Sequence, residues 1–233
     1  MRVKNVVYSK NQGLKLAHFS DTHFTWHTSA RRFQKFAKNI TENQPDMILF
    51  TGDLFDKVDW AKKQDLSSFE RILSDLSAPL GKFAILGNHD FDEQNADFVR
   101  KILEKAGFTV LTNQSNLAEQ LSITGIDDLR EGQPDFTILP VTSATFSLLM
   151  IHEPDTILQM THLEKFDLVI AGHSHGGQIR LGNFRLRNKG SKYFDSGSYK
   201  ISEKTLLYVN NGIGLTFLPI RIGVPPELTY YEI

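Results

Sequence analysis

The chain has 233 residues, 40% of them hydrophobic and 23% charged, and its 26 Lys plus Arg against 27 Asp plus Glu leave a net charge of −1. That size and balance suit one soluble globular domain with a full core, and give no overall electrostatic case for a nucleic-acid binder. There is no cysteine, which excludes disulfides, thiolate metal sites and a cysteine nucleophile.

The opening stretch, MRVKNVVYSKNQG, has no apolar h-region and no cleavage site. No window approaches the roughly 18 apolar residues of a membrane helix, so the expected location is cytoplasmic, with peripheral contact at a membrane as a second reading. LKLAHFS (14–20) reads as a strand. Residues 29–43 place Phe33, Phe36, Ala37 and Ile40 at helical spacing, with Ser29 as the cap. DMILFTG (46–52) is a second buried strand, and 66–78 a helix with Phe69, Ile72, Leu73 and Leu76 as its inner stripe. KFAILG (82–87) is a third strand, 95–108 a helix ending at Gly107, and TVLTN (109–113) extended. The second half is richer in strands: LSITGIDD (121–128), FSLLMIH (146–152), DLVIAGH (167–173), TLLYVNNG (205–212) and an alternating terminal strand. Residues 182–200 are polar and basic, and read as a long loop or loose hairpin. Helices between strands in the first half predict βαβ units with parallel pairing. With no linker in the chain, one domain over 1–233 is expected.

Five of these strands end in the same class of residue. Asp21 and His23 follow the first, Asp53 the second, Asn88 and His89 the third; His152 follows FSLLMI, and His173 and His175 follow DLVIAG. Ligands of α/β sheets bind at such carboxyl ends. Asp21, His23, Asp53, Asn88, His152, His173 and His175 make seven nitrogen and oxygen donors, suited to Mn, Fe, Zn, Co or Ni rather than Ca or Cu(I). One tetrahedral ion uses about four. Seven therefore suit two divalent ions sharing a carboxylate, and Asp53, alone on its strand, is the expected bridge. Two ions activating a water between them is the chemistry of phosphoester hydrolysis.

DTH (21–23), GDLFD (52–56), GNHD (87–90), His152 and GHSH (172–175) resemble, in order and spacing, the five motifs of the calcineurin-like metallophosphoesterases. GGQ after GHSH, with YVNNGIG, LPIR and PPE downstream, is similar to the bacterial YkuE/YaeI-type phosphodiesterase branch. The resemblance implies a four-layer α-β-β-α sandwich of two mixed β-sheets. It implies Asp21, His23, Asp53 and His175 on one ion, and Asp53, Asn88, His152 and His173 on the other. It gives His89 to the substrate as proton donor and Asp56 to the His89 ring as its partner. On this reading Gly172 lets the chain turn at the strand end, while Gly176 and Gly177 keep the far side open to a phosphate.

Other polar residues read more plainly. His18 is a hydrogen-bonded interior residue, His27 and His162 lie at the rim or in solvent, and Asp90 is a supporting partner or a cap. Trp26 and Trp60 are candidates for the pocket rim. Arg180, Arg185, Arg187, Lys189 and Lys192 are either a solvated loop or a cluster that draws an anionic diester or an acidic lipid head group. The expected activity is phosphodiester hydrolysis with a metal-bridging hydroxide as nucleophile. A phosphomonoesterase is the alternative, and a silent binding scaffold the more distant one. The expected substrate is a small phosphoester, of phospholipid-like or nucleotide-diester type; no nucleic-acid partner is expected, and nothing in the sequence specifies an oligomeric state.

Overall fold

The apolar runs at chain positions 15–19, 47–50, 82–84, 146–150 and 168–171 are buried almost throughout, as strands covered on both faces must be. A computed structural model describes residues 2–7, 12–26, 30–181, 184–185, 187–216 and 218–233. Ser29 and His27 lie outside the described residues.

In chain order the elements are β1 (Arg2–Val7), β2 (Lys15–Phe19), α1 (Ala30–Asn43), β3 (Met47–Phe50), α2 (Val58–Ala61), α3 (Ser67–Asp75), β4 (Lys82–Ala84), α4 (Ala96–Lys105), β5 (Phe108–Val110), β6 (Gln114–Ala118), β7 (Leu121–Gly125), β8 (Phe146–Met150), β9 (Leu168–Ala171), β10 (Arg180–Leu181), β11 (Phe184–Arg185), β12 (Gly197–Lys200), β13 (Leu206–Val209) and β14 (Glu227–Glu232). Two six-stranded sheets result, in the orders β1-β14-β2-β3-β4-β5 and β12-β13-β9-β8-β7-β6. Both are mixed. In the first, β2 to β5 run parallel and β14 is antiparallel to β2. In the second, β13, β9, β8 and β7 run parallel between antiparallel edge strands β12 and β6.

The sheets face each other across a core that joins Leu16, Leu49 and Phe83 of the first to Leu148, Ile170 and Tyr208 of the second. Phe33, Phe36 and Ile40 of α1, Phe69 and Leu73 of α3 and Val99 and Leu103 of α4 cover the outer face of the first sheet, against Phe19, Ile48 and Phe50. Those of α1 and α3 are the apolar stripes expected from the spacing. The outer face of the second sheet carries Leu149, Val169 and Leu207 under Ile157 and Phe166, within and beside the short 3-10 turns at Pro154–Leu158 and Leu163–Lys165. Its covering layer is therefore built from turns and connecting chain, because the segments there are too short and too rich in Pro and polar residues to make several helical turns. No helix among the described residues is long and apolar enough to cross a membrane.

His18 is fully buried in β2, with Nδ1 at 2.8 Å from the Tyr231 hydroxyl and Nε2 at 2.9 Å from Thr51 Oγ1. Burial drives its pKa down to about 3. Two hydroxyls occupy both ring nitrogens, so His18 is an interior residue despite standing three positions before Asp21.

Candidate metal centre

The parallel strands β2, β3, β4, β8 and β9 all end on one side, and their exits carry the seven donors. Asp21, His23 and His175 form one convergent group and Asp53, His152 and His173 another, the ligand atoms of each lying within 4.8 Å of one another. Asp53 sits between the two: its Oδ2 is 3.4 Å from His23 Nε2 and 3.2 Å from His152 Nε2. Asn88 joins the second group, with Oδ1 at 3.0 Å from His173 Nδ1. His89 packs edge-on against His23 at 4.7 Å between ring centres, and its amide N–H donates to Asp53 Oδ1 at 2.9 Å.

The backbone is bent to make this possible. Asp21, His23, Asp53, His173 and His175 all have φ between 39° and 64°, a left-handed conformation that side chains other than glycine resist. Each such residue costs about 1 kcal/mol or more, and strain of this kind collects at functional sites. Gly172 serves a different purpose from the turn expected of it. Any side chain there would overlap Ser20 and the Asp21 carboxylate, so its bare Cα lets the exits of β2 and β9 touch. Gly176 is not open to solvent either; it packs on Asn211 and Val224, which brace the loop from behind.

Ring orientation is set by partners away from the centre. His152 Nδ1 lies 2.6 Å from Thr51 O and His173 Nε2 lies 2.8 Å from Lys189 O. A carbonyl only accepts, so those nitrogens carry protons, and His152 Nε2 and His173 Nδ1 are the ring atoms left to face an ion. Without one, burial lowers the His152 pKa but the Asp53 carboxylate outweighs it and raises it well above the usual imidazole value. His152 Nε2 is buried and lies 3.2 Å from Asp53 Oδ2 without the alignment of a hydrogen bond. His173 Nδ1 and Asn88 Oδ1 are then two acceptors facing each other at 3.0 Å. Both observations fit a cation between these groups, and the nitrogen and oxygen donor set fits a divalent transition ion. On the other side His23 Nδ1 faces the Asp56 carboxylate at 3.5 Å, and His175 Nδ1 accepts from Arg221 Nη2 at 3.1 Å. The two inner nitrogens, His23 Nε2 and His175 Nε2, are 3.0 Å apart.

The expected pairing of Asp56 with His89 needs a correction. The Asp56 carbonyl, not its carboxylate, holds the ring, accepting from His89 Nδ1 at 2.9 Å. The carboxylate is drawn to His23 instead. Burial lowers the His89 pKa, but the Asp53 carboxylate and the Asp56 carbonyl outweigh it and raise the pKa above the usual imidazole value. Asp53 is pushed up by burial, yet His152, His89 and His23 hold it well below the usual carboxylate range. Asp21, penalised by burial and by Asp53, is raised.

Sequence reasoning underrated several supports. Asp90 is fully buried, and its carboxylate accepts from the amides of Asp53, Leu54 and Gly87, each at 2.9 Å, fixing the turn that carries the central carboxylate. Arg221 donates to the carbonyls of Gly212 and Gly214 as well as to His175. Burial lowers its pKa to about 10. The IR of LPIR was its only sequence signal. Trp60 is partly buried against the helix-side core and packs on Phe24, whereas Trp26 is exposed. Arg180, Arg185 and Arg187 gather around Asp195, while Lys189 and Lys192 line a separate cleft of about 450 Å³ with Arg130, Leu158 and Tyr193.

Residues 14–177 match the family model described as calcineurin-like phosphoesterase. The metallophosphoesterase YkuE of Bacillus subtilis (strain 168) is 34% identical over 230 residues, covering 95% of this chain and 79% of that one. YkoQ of the same organism is 30% identical over 239 residues, covering 94% and 83%. A Chlamydia muridarum protein named UDP-2,3-diacylglucosamine pyrophosphatase LpxG is 27% identical over 275 residues, covering 93% and 82%.

Proposed function

Because the chain belongs to the calcineurin-like phosphoesterase family, we propose that it hydrolyses phosphodiesters with two divalent metal ions. The observation that carries this reading is the place of Asp53, within 3.4 Å of His23 Nε2 and 3.2 Å of His152 Nε2, so that one carboxylate serves both donor groups. Asp21, His23, Asp53 and His175 would hold one ion; Asp53, Asn88, His152 and His173 would hold the other. When bound, such ions, of the Mn, Fe, Zn, Co or Ni class, neutralise phosphoryl charge and lower the pKa of a water. His89 has the proton-donor role. Its Nδ1–H is fixed by the Asp56 carbonyl, which leaves Nε2–H free to donate to a phosphoryl oxygen or to the departing alkoxide. Asp53 raises the pKa of that ring in the metal-free chain; bound cations pull the other way.

A substrate with a second anionic group and an apolar or aromatic portion fits the cleft beside His173. The cleft is lined by Arg130, Lys189, Lys192, Leu158 and Tyr193, and Lys189 also supplies the carbonyl that holds His173. A pyrophosphate diester of the kind named for the Chlamydia relative has those parts. The test is turnover by the manganese-loaded chain on bis(p-nitrophenyl) phosphate, p-nitrophenyl phosphate and a UDP-sugar. Diester or pyrophosphate turnover should exceed monoester turnover. The reverse order would make the protein a phosphomonoesterase, and no turnover with two ions bound would make it a binding scaffold.

A further inference from the structure

A second polar cavity, of about 400 Å³, opens between the edges of the two sheets. Arg2 and Lys4 of β1, Arg180 of β10, Ser198 of β12, Tyr208 of β13 and Glu227 of β14 line it. Glu227 is the one carboxylate among the described residues on its walls, and its oxygens are already taken. Oε1 accepts from Tyr208 and Thr229 at 2.7 and 3.1 Å, and Oε2 from Asn211 at 2.7 Å. Three cations therefore line a cavity whose one lining carboxylate is saturated, with Arg180 also in ion-pair range of Asp195, in a chain whose net charge is −1.

Arg180 gives the cavity a specific partner geometry. Its Nε and Nη2 are buried and hydrogen-bond to no group of the protein. Those two nitrogens form the side of the guanidinium that donates two parallel N–H bonds to an oxyanion. The nearby Asp195 does not meet the need. Its Oδ2 is 3.7 Å from Arg180 Nη2, beyond hydrogen-bond range, and lies 2.9 Å from Arg185 instead. Leaving two buried charged N–H groups without acceptors is costly. A dianionic oxyanion in the cavity would balance the excess charge, and a turn of the Arg180 side chain, which lines the wall, would bring those N–H groups to it.

We propose that this cavity binds a phosphate group, separately from the metal centre. The volume suits inorganic phosphate or the head of a small phosphomonoester. The back wall reaches the metal-bearing loop: Asn211 accepts from Ser196 Oγ at 2.7 Å and packs against Gly176. The inference does not depend on hydrolytic activity.

Equilibrium dialysis of the manganese-loaded chain against inorganic phosphate tests it. The parent should bind one phosphate per chain more than the Arg2→Gln/Lys4→Gln variant, with turnover the same in both. Arg180→Lys keeps the charge but loses the two-pronged edge, and should weaken that extra phosphate about tenfold or more. Equal stoichiometry in parent and double variant would overturn the proposal, as would unchanged affinity in Arg180→Lys. Two further probes name the source of the phosphate. Glycerol 3-phosphate bound in solution, or sedimentation with phosphatidic acid vesicles but not phosphatidylcholine vesicles, each supports the site if the double variant abolishes it. Binding of either probe that survives both variants would count against it.

Discussion

The two donor groups are oriented by different means. In the group around Asp53, the rings of His152 and His173 are set by the carbonyls of Thr51 and Lys189. In the group around Asp21, the rings of His23 and His175 face ionic side chains, the Asp56 carboxylate and the Arg221 guanidinium. A carbonyl holds one tautomer whatever the side-chain sequence around it. A charged side chain adds its own field and can be replaced by one substitution. The second group is thus fixed by the fold, and the first is adjustable from outside the ligand set.

The sharpest way to break this contrast is through the residue both groups share. Asp53→Asn should strip or scramble both ions, read by elemental analysis, and abolish turnover; loss from one group alone would mean that Asp53 is not shared. Next comes His89→Ala, which should lower kcat by roughly 10²–10⁴ while leaving metal content intact. Metal loss there would place His89 among the ligands, a role its closeness to His23 and Asp56 makes worth testing. Arg221→Met removes a cation beside His175 and frees its Nδ1 to carry the ring proton, so manganese at the Asp21 group should tighten while the other group is spared; an equal change at both would erase the distinction. Asp90→Asn replaces one of the two oxygens that accept from three amides with an N–H donor. It should lower stability by about 1–3 kcal/mol in urea titrations.

His18 supplies the control, a histidine held on both nitrogens and offered to no ion. Its folded pKa of about 3 lies below the ordinary imidazole value of about 6.5. The unfolded chain therefore takes up the proton first, and stability is lost as pH falls from about 6.5 towards 3. For one such group the loss is roughly 1.4 kcal/mol per pH unit in that window. His18→Gln should flatten that slope in the metal-free chain, as read by denaturation at pH 7 and pH 5.

The donors themselves were legible because each is a short polar signal at the end of an apolar run, and a parallel sheet sends such ends to one side. The helix stripes at Phe33, Phe36 and Ile40 or Phe69, Ile72 and Leu73 were legible by the same periodic logic. What escaped were contacts made by main chain or across long separations. Thr51 O and Lys189 O have no residue-type signature. Arg221 reaches back 46 positions to His175. Gly172 looked like a turn because close approach between two strand exits leaves the same letter in the sequence. β1 and β6 were missed as well: they are edge strands with polar, half-exposed residues and little periodic pattern.

The left-handed backbone at Asp21, His23, Asp53, His173 and His175 stores torsional strain in the loops that carry the donors. An inert descendant of this chain would relax fastest by placing glycine at those five positions, growing hardier as it lost its chemistry. Asp21→Gly or His173→Gly should accordingly melt higher than expected for deleting a buried polar side chain. At those five positions the donor side chain and backbone ease pull in opposite directions.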